Sequence, residues 1–340
     1  MLRCCPRDAR FMEAQTKMGI GSRGLAVLRD PIDNRDRVEV WVPYGEQLDA
    51  LGALPGSAHV SVWDGRGSTP GDPAQVEVWV PPFSSGLDVV VQLRDLTGLR
   101  LLQLMSAGAD VWIDHVPAGA TLCDARGVHT GSTSEWVVTA ILASVREFPW
   151  FTLAQAAHRW EHADSDTLAG KRVLIIGAGD IGEAVCRRLE PFGVNLVRVA
   201  RRRKDGVYPV TDLPWLLPDA DVVVLQVPLT AATRGMVDSR FLARMRDGAL
   251  LVNGARGPVV DTAALLAELR SRRLRAALDV TDPEPLPADH PLWDAPGLLL
   301  TPHVAGSVHG MLAPAYQLVG DQLRRYAAGE PLRNVVAEGY

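Results

Sequence analysis

The chain has 340 residues, 47% of them hydrophobic and 22% charged, with 35 basic against 40 acidic side chains and a net charge of −5. That length suggests about two domains and a core that needs no covalent staples. The charge balance excludes a strongly basic nucleic-acid binder and a polybasic membrane face, so neither nucleic acid nor a membrane is an expected partner.

Cys4, Cys5, Cys123 and Cys186 form no CxxC pair and show no metal-ligand spacing, so no metal site is expected. No stretch reaches the roughly 18 apolar residues of a membrane span. Together these features predict a reducing, cytoplasmic setting. Residues 1–23 carry no clear period and read as a tail, or as sequence ahead of a second start at Met18.

From residue 38 strand-like and helix-like blocks alternate. VEVWVP (38–43) and HVSVW (59–63) alternate at period two, and VEVWVPP (76–82) ends in two prolines that cannot continue a paired strand. LRLLQLM (99–105) is a continuous apolar run, as expected of a strand buried on both faces. GEQLDALGAL (45–54) and GLDVVVQLRDL (86–96) are helical candidates between them. Such alternation implies a parallel α/β sheet.

STSEWVVTAILASVREF (132–148) is apolar nearly all round, with Ser134 as the expected N-cap. It reads as a buried helix at a domain or subunit interface. The polar stretch 154–167 follows. A second α/β block then opens with RVLIIG (172–177), a helix over 180–192 and NLVRVA (195–200). Further strands are expected at 221–228, 248–255, 274–280 and 297–305, with a helix over 262–271. The prolines of 282–291 mark a rigid loop.

GAGDIG (177–182) matches G-x-G-x-x-G, and it follows an apolar strand and opens a helix, the context that motif requires. Gly177 allows the tight turn, Gly179 lets backbone approach a pyrophosphate, and Gly182 lets helix pack on strand. The helix start at Asp180 and Ile181 offers unpaired N–H groups and a positive dipole end. An acidic side chain about 20 residues on would bind the ribose 2′-OH of NAD. That place holds Ala200, followed by Arg201, Arg202, Arg203 and Lys204. An arginine fork suits a 2′-phosphate, so NADP(H) is the preferred cofactor, with NAD(H) second. Arg201 is the first candidate for the phosphate and Arg202 the next; the alternative is a solvated basic turn.

Three later segments, NGARGPVVD (253–261), DVTDPEPLP (279–287) and TPHVAGS (301–307), each lie where a strand of this block ends. Ligands bind at such carboxyl ends. With GAGDIG, VPLTAATRGM (227–236) and HPLW (290–293), the set resembles the D-isomer-specific 2-hydroxyacid dehydrogenase family over about residues 100–310, and the resemblance before residue 100 is only architectural.

The resemblance implies an α/β fold of two doubly wound parallel-sheet domains, a Rossmann cofactor domain inserted into a flavodoxin-like substrate domain. The substrate domain would take 24–122 plus 306–340 and the cofactor domain 123–305, with the two crossings as hinge. It implies a homodimer through the cofactor domain. It also implies a catalytic triad of Arg256, Glu284 and His303. Arg256 would hold the carboxylate of a 2-oxo acid with its planar fork. His303 would protonate the developing alkoxide, and Glu284 would hydrogen-bond the imidazole and favour its charged form. Asp282 is a rival carboxylate, but Glu284 precedes proline as in the family pattern. His59, His115, His129, His158, His162, His290 and His309 lack such a partner motif and read as surface or packing residues.

MSAGAD (105–110) resembles the family loop whose backbone N–H groups hold the substrate carboxylate, which points to Ala107 and Gly108. PPFSSG (81–86) ends the preceding strand and faces the cleft in this reading. Trp293 is either a pocket wall or a core residue. The resemblance puts Pro228, Thr233, Ala255, Asp279 and Gly306 on the cofactor side. Asp279 would lie near the nicotinamide carboxamide, or else only brace its strand–loop junction. Gly254 and Thr281 sit where the family commonly has larger residues. DVTDPEPLP and the basic turn resemble glyoxylate/hydroxypyruvate reductases, so the expected reaction is NADPH-dependent reduction of a small 2-oxo acid to the D-hydroxy acid. The alternatives are a family member acting on 3-phosphoglycerate, phosphite or a bulkier oxo acid, and a non-enzymatic dinucleotide-sensing corepressor.

Overall fold

The computed structural model of the chain describes residues 37–336. The expected tail 1–23, with Cys4, Cys5 and Met18, lies outside the described residues. Residue alternation along the first strands sets the first sheet. Val40, Val42 and Val78 pack into one core cluster, while Trp41 and Trp79, their chain neighbours, pack into another. A parallel sheet must cover both faces in this way. Strands β1 (Val38–Val42), β2 (Ala58–Val62), β3 (Val76–Trp79), β4 (Leu101–Gln103) and β5 (Thr121–Cys123) form it in the order β2-β1-β3-β4-β5. Every pairing is parallel. That order is the flavodoxin-like one.

The second sheet holds β6 (Arg172–Ile176), β7 (Asn195–Ala200), β8 (Val207–Pro209), β9 (Val222–Leu225), β10 (Leu250–Asn253), β11 (Arg275–Leu278) and β12 (Leu298–Leu300). Its order is β12-β11-β10-β9-β6-β7-β8, all parallel. From β8 inward this is the Rossmann order with one strand added, and its direction of winding reverses between β6 and β9.

Eight α-helices are described: α1 (Leu87–Val90), α2 (Thr130–Val145), α3 (Phe148–Ala156), α4 (Asp180–Leu189), α5 (Leu213–Leu216), α6 (Ser239–Arg244), α7 (Thr262–Arg270) and α8 (Leu312–Ala328). Helix α2 lays Val137, Ala140 and Ile141 on the face made by Val173, Ile175, Val222 and Val252. Each fully buried aliphatic side chain contributes about 1.5–3 kcal/mol. Helix α8 returns to the first sheet and packs Tyr316, Val319 and Leu323 against Val40 and Val78.

Several expected helices are shorter or broken. Residues 45–54 form only a 3-10 helix over Gly45–Leu51, ended by Gly52 at φ +70. The 86–96 segment starts as α1 and tightens to 3-10 over Val91–Arg94. The helix expected over 180–192 gives way after Leu189 to a 3-10 turn, Glu190–Phe192, that contains Pro191. The helix expected over 132–148 begins at Thr130 and stops at Val145. Ser134 is therefore not its N-cap. It lies one turn inside, and its hydroxyl donates back to the Thr130 carbonyl. Glu147 then turns left-handed at φ +55, and the chain restarts as α3 with Pro149 in its first turn, bent by 67° from α2. Among the described residues no single helix is long and apolar enough to cross a membrane.

Candidate active site

The crevice forms at the reversal between β6 and β9. Gly177 follows β6 directly at φ +115, and a β-carbon there would lie 2.1 Å from the Gln226 carbonyl oxygen. A β-carbon on Gly182 would lie 2.0 Å from the Gly177 oxygen. Gly179 instead faces open space, with nothing within 4 Å of that position. It also precedes α4 without a side-chain cap, so the first N–H groups of the helix point outward unpaired.

A cavity of about 590 Å³ lies over this loop. Of the residues expected at the site, Ala107, Gly108, Gly179, Asp180, Ile181, Gly182, Arg201, Pro228, Ala255 and Arg256 line it. Gly177, Arg202, Thr233, Asp279, Glu284, His303 and Gly306 do not. Thr233 uses its hydroxyl to close its own loop on the Pro228 carbonyl at 2.6 Å. Gly306 lies against the His129 ring. Arg203 is held by Asp212 at 3.0 Å and lies over Tyr208.

Arg256 follows β10 on a turn pinned by Asn253, whose Oδ1 accepts from Ala255 N–H and whose Nδ2 donates to the Arg256 carbonyl. Its Nε donates to Asp110 at 2.9 Å and its Nη1 to the Ala255 carbonyl at 2.9 Å. The end-on Nη1/Nη2 edge retains donors for a carboxylate; the edge that includes Nε is already used. Asp110 follows β4 in the first sheet, so this pair spans the cleft between the two sheets.

His303 Nδ1 meets Glu284 Oε1 at 2.5 Å. Both side chains are part-exposed, 44% and 37%. Burial pushes the Glu284 carboxyl up, but His303, the Thr281 N–H and the Arg256 charge together hold it below the ordinary glutamate value. Asp282, the rival carboxylate, makes no such contact; its carbonyl accepts from Thr262. Asp279, 2% exposed, accepts from the Thr301 hydroxyl and from the N–H groups of Val304 and Ala305. These are the bonds of the bracing alternative.

Trp293 is neither core nor cavity wall: it is 52% exposed, does not line the cavity, and its indole donates to the Pro287 carbonyl. PPFSSG does not line the cavity, although its Phe83 ring stacks 5.2 Å from His129. Burial pushes the Cys123 and Cys186 thiols up to about 11, which leaves neither a nucleophile at neutral pH. Among the described residues no cluster of His, Cys, Asp and Glu could hold a metal ion.

The family model for the NAD-binding domain of D-isomer specific 2-hydroxyacid dehydrogenases matches residues 138–305. A formate dehydrogenase of Arabidopsis thaliana is 31% identical over 274 residues, 76% of this chain and 71% of that protein. A glycerate dehydrogenase of Methylorubrum extorquens is 34% identical over 261 residues, 72% of this chain and 81% of that protein. A solved D-isomer specific 2-hydroxyacid dehydrogenase from Xanthobacter autotrophicus, in complex with NADPH and MES, superposes with a TM-score of 0.76 at 31% identity, over 89% of this chain and 98% of that one.

The chain belongs to the D-isomer-specific 2-hydroxyacid dehydrogenase family. It is an NAD(P)-dependent oxidoreductase. The glycine loop of this dehydrogenase fits a dinucleotide: Gly177 and Gly182 admit no side chain, and open space stands over Gly179 where a pyrophosphate would lie.

Sequence reading missed Asp110, Asn253, Gln226 and His129. Asp110 closes the quoted MSAGAD segment, yet nothing local ties it to an arginine 146 positions later. His129, read as a packing residue, is indeed 6% exposed and bonded to the Met105 carbonyl, but it also forms part of the cavity wall.

Proposed function

We propose that this dehydrogenase reduces a small 2-oxo acid to the D-2-hydroxy acid with NADPH, as a glyoxylate/hydroxypyruvate-type reductase. The observation that carries the reading is the His303–Glu284 pair, Nδ1 to Oε1 at 2.5 Å, formed by the segments that follow β12 and β11. Oxidation of formate to carbon dioxide releases a hydride and no hydroxyl proton, so a poised imidazole–carboxylate pair has no task in it. Reduction of a carbonyl needs a proton at the new alkoxide, and that pair can supply one. The glycerate dehydrogenase relative acts in its name on the hydroxy acid whose 2-oxo form is hydroxypyruvate.

In this mechanism Arg256 grips the substrate carboxylate through Nη1 and Nη2 and aligns the neighbouring carbonyl. Bound NADPH supplies the hydride. His303 gives its proton to the carbonyl oxygen, Glu284 orients the ring through its bond to Nδ1, and the part-exposed ring regains a proton from solvent.

The NADP preference rests on Ala200, where β7 offers no carboxylate, and on Arg201 in the cavity wall with Arg202 beside it. The NADPH held by the Xanthobacter relative supports it. We also propose the two-domain division at 24–122 plus 306–340 and 123–305, and a homodimer that covers the exposed Phe148, Leu153 and Trp160 beside the cofactor sheet. The reaction is tested by turnover of NADPH with glyoxylate or hydroxypyruvate, which Arg256→Ala and His303→Asn should abolish while dinucleotide binding persists. Near-normal kcat in either variant would overturn the assigned roles.

A further inference from the structure

We propose that Trp136 and Thr301 are positioning residues for proton transfer, acting on His303 through Asp279; this rests on His303 being the acid named above. His303 stands at φ +54, a left-handed conformation that a residue with a β-carbon keeps only when its surroundings impose it. The imposing group is Asp279. Its carbonyl accepts from His303 N–H at 2.7 Å, and its carboxylate takes the N–H groups of Val304 and Ala305, both at 2.9 Å. Three consecutive backbone donors of the catalytic loop thus converge on one buried residue.

What orients that carboxylate in turn is a directional chain. The Trp136 indole can only donate, and it donates to Thr301 Oγ1 at 3.0 Å. The single hydroxyl hydrogen of Thr301 is then directed to Asp279 Oδ1 at 2.6 Å. Trp136 rides on α2, which Val137 and Ile141 anchor in the core of the cofactor sheet. The same indole ring lies 3.3 Å from where a β-carbon of Gly254 would stand, and so backs the turn that leads to Arg256. The loop holding the substrate carboxylate and the loop delivering the proton are therefore referenced to one side chain.

The test is Thr301→Val, which keeps shape and removes the hydroxyl, with Thr301→Ser and Trp136→Phe beside it. Misplacement of a reacting group by about 1 Å costs on the order of a hundredfold, so kcat of Thr301→Val should fall about 10- to 100-fold while NADPH affinity changes less than about twofold. The pH profile of kcat should change shape, Thr301→Ser should restore most of the rate, and Trp136→Phe combined with Thr301→Val should be no slower in kcat than Thr301→Val alone, any loss through the Arg256 turn falling instead on the KM of the oxo acid. An unchanged kcat in Thr301→Val overturns the proposal. So does an equal loss of kcat and NADPH affinity that serine does not rescue, or a double variant multiplicative in kcat. His303→Asn, measured in parallel, separates the two levels: if it keeps wild-type kcat the acid assignment itself falls, whereas a dead His303→Asn beside an active Thr301→Val refutes only the positioning chain.

Discussion

Arg256 passes so close over Gly108 that a β-carbon on the glycine would lie 1.3 Å from Nη2. No φ demand explains this glycine; the guanidinium occupies the space a side chain would fill. Gly108→Ala should push the arginine off its carboxylate-holding position. We expect a loss of about a hundredfold in kcat/KM, chiefly as a raised KM for the oxo acid, with NADPH affinity retained. Asp110→Asn keeps an acceptor for Nε but removes its charge, and should cost less, about tenfold. Steady-state kinetics with both substrates varied separates these effects.

Glu284 carries a pH prediction. Its carboxyl is held below the ordinary value of 4.5, so it remains ionised throughout the neutral and mildly acid range. A carboxylate with a lowered folded-state pKa contributes stability that is present above the ordinary value and lost as pH falls through the lowered one. The His303–Glu284 couple should therefore persist down to below about pH 4.5. Glu284→Gln should lower kcat about 10- to 100-fold at neutral pH, within the range typical of a general acid's contribution. A loss of kcat with a midpoint well above pH 4.5 that Glu284→Gln abolishes would contradict it.

The basic turn makes a differential prediction. Arg201 lines the cavity and Arg203 is bound to Asp212. Arg201→Ala with Arg202→Ala should weaken NADPH about 10- to 100-fold and NADH by little, as loss of charge-assisted phosphate contacts requires. Arg203→Ala should do much less. Dinucleotide titration by fluorescence checks both. Equal losses for NADPH and NADH would remove the 2′-phosphate assignment.

Leu153, on α3, is 64% exposed, and Trp160, shortly after that helix ends, is 99% exposed. Leu153→Glu with Trp160→Glu should convert a dimer to a monomer in light scattering, at unchanged far-ultraviolet dichroism. A wild-type monomer at high concentration would contradict the homodimer.

The legibility of this molecule follows the range of each interaction. GAGDIG could be read because its steric demands lie within one strand–turn–helix unit, and the structure returns them as the clashes at Gly177 and Gly182. Glu284 and Asp282 each precede a proline, so the following residue does not separate them; the family pattern does, and only Glu284 reaches His303. The Arg256–Asp110 pair was not legible, since its partners lie 146 residues apart on different sheets. Helix ends are hidden from the sequence where local bonds compete: Ser134 has a capping side chain yet donates back to Thr130, and Glu147, in the charged Arg146–Glu147 step between two apolar helices, turns left-handed. The 3-10 stretch at Val91–Arg94 lies within an apolar run whose pattern is equally that of an α-helix.

The most direct test of the account follows nicotinamide absorbance with the purified enzyme, NADPH against glyoxylate and hydroxypyruvate on one side and NAD with formate on the other. NADPH oxidation with the small 2-oxo acids, lost in His303→Asn, is the expected result, with no reduction of NAD by formate. Formate-driven reduction of NAD with silence toward every 2-oxo acid would contradict it, because the His303–Glu284 pair would then have no proton to deliver.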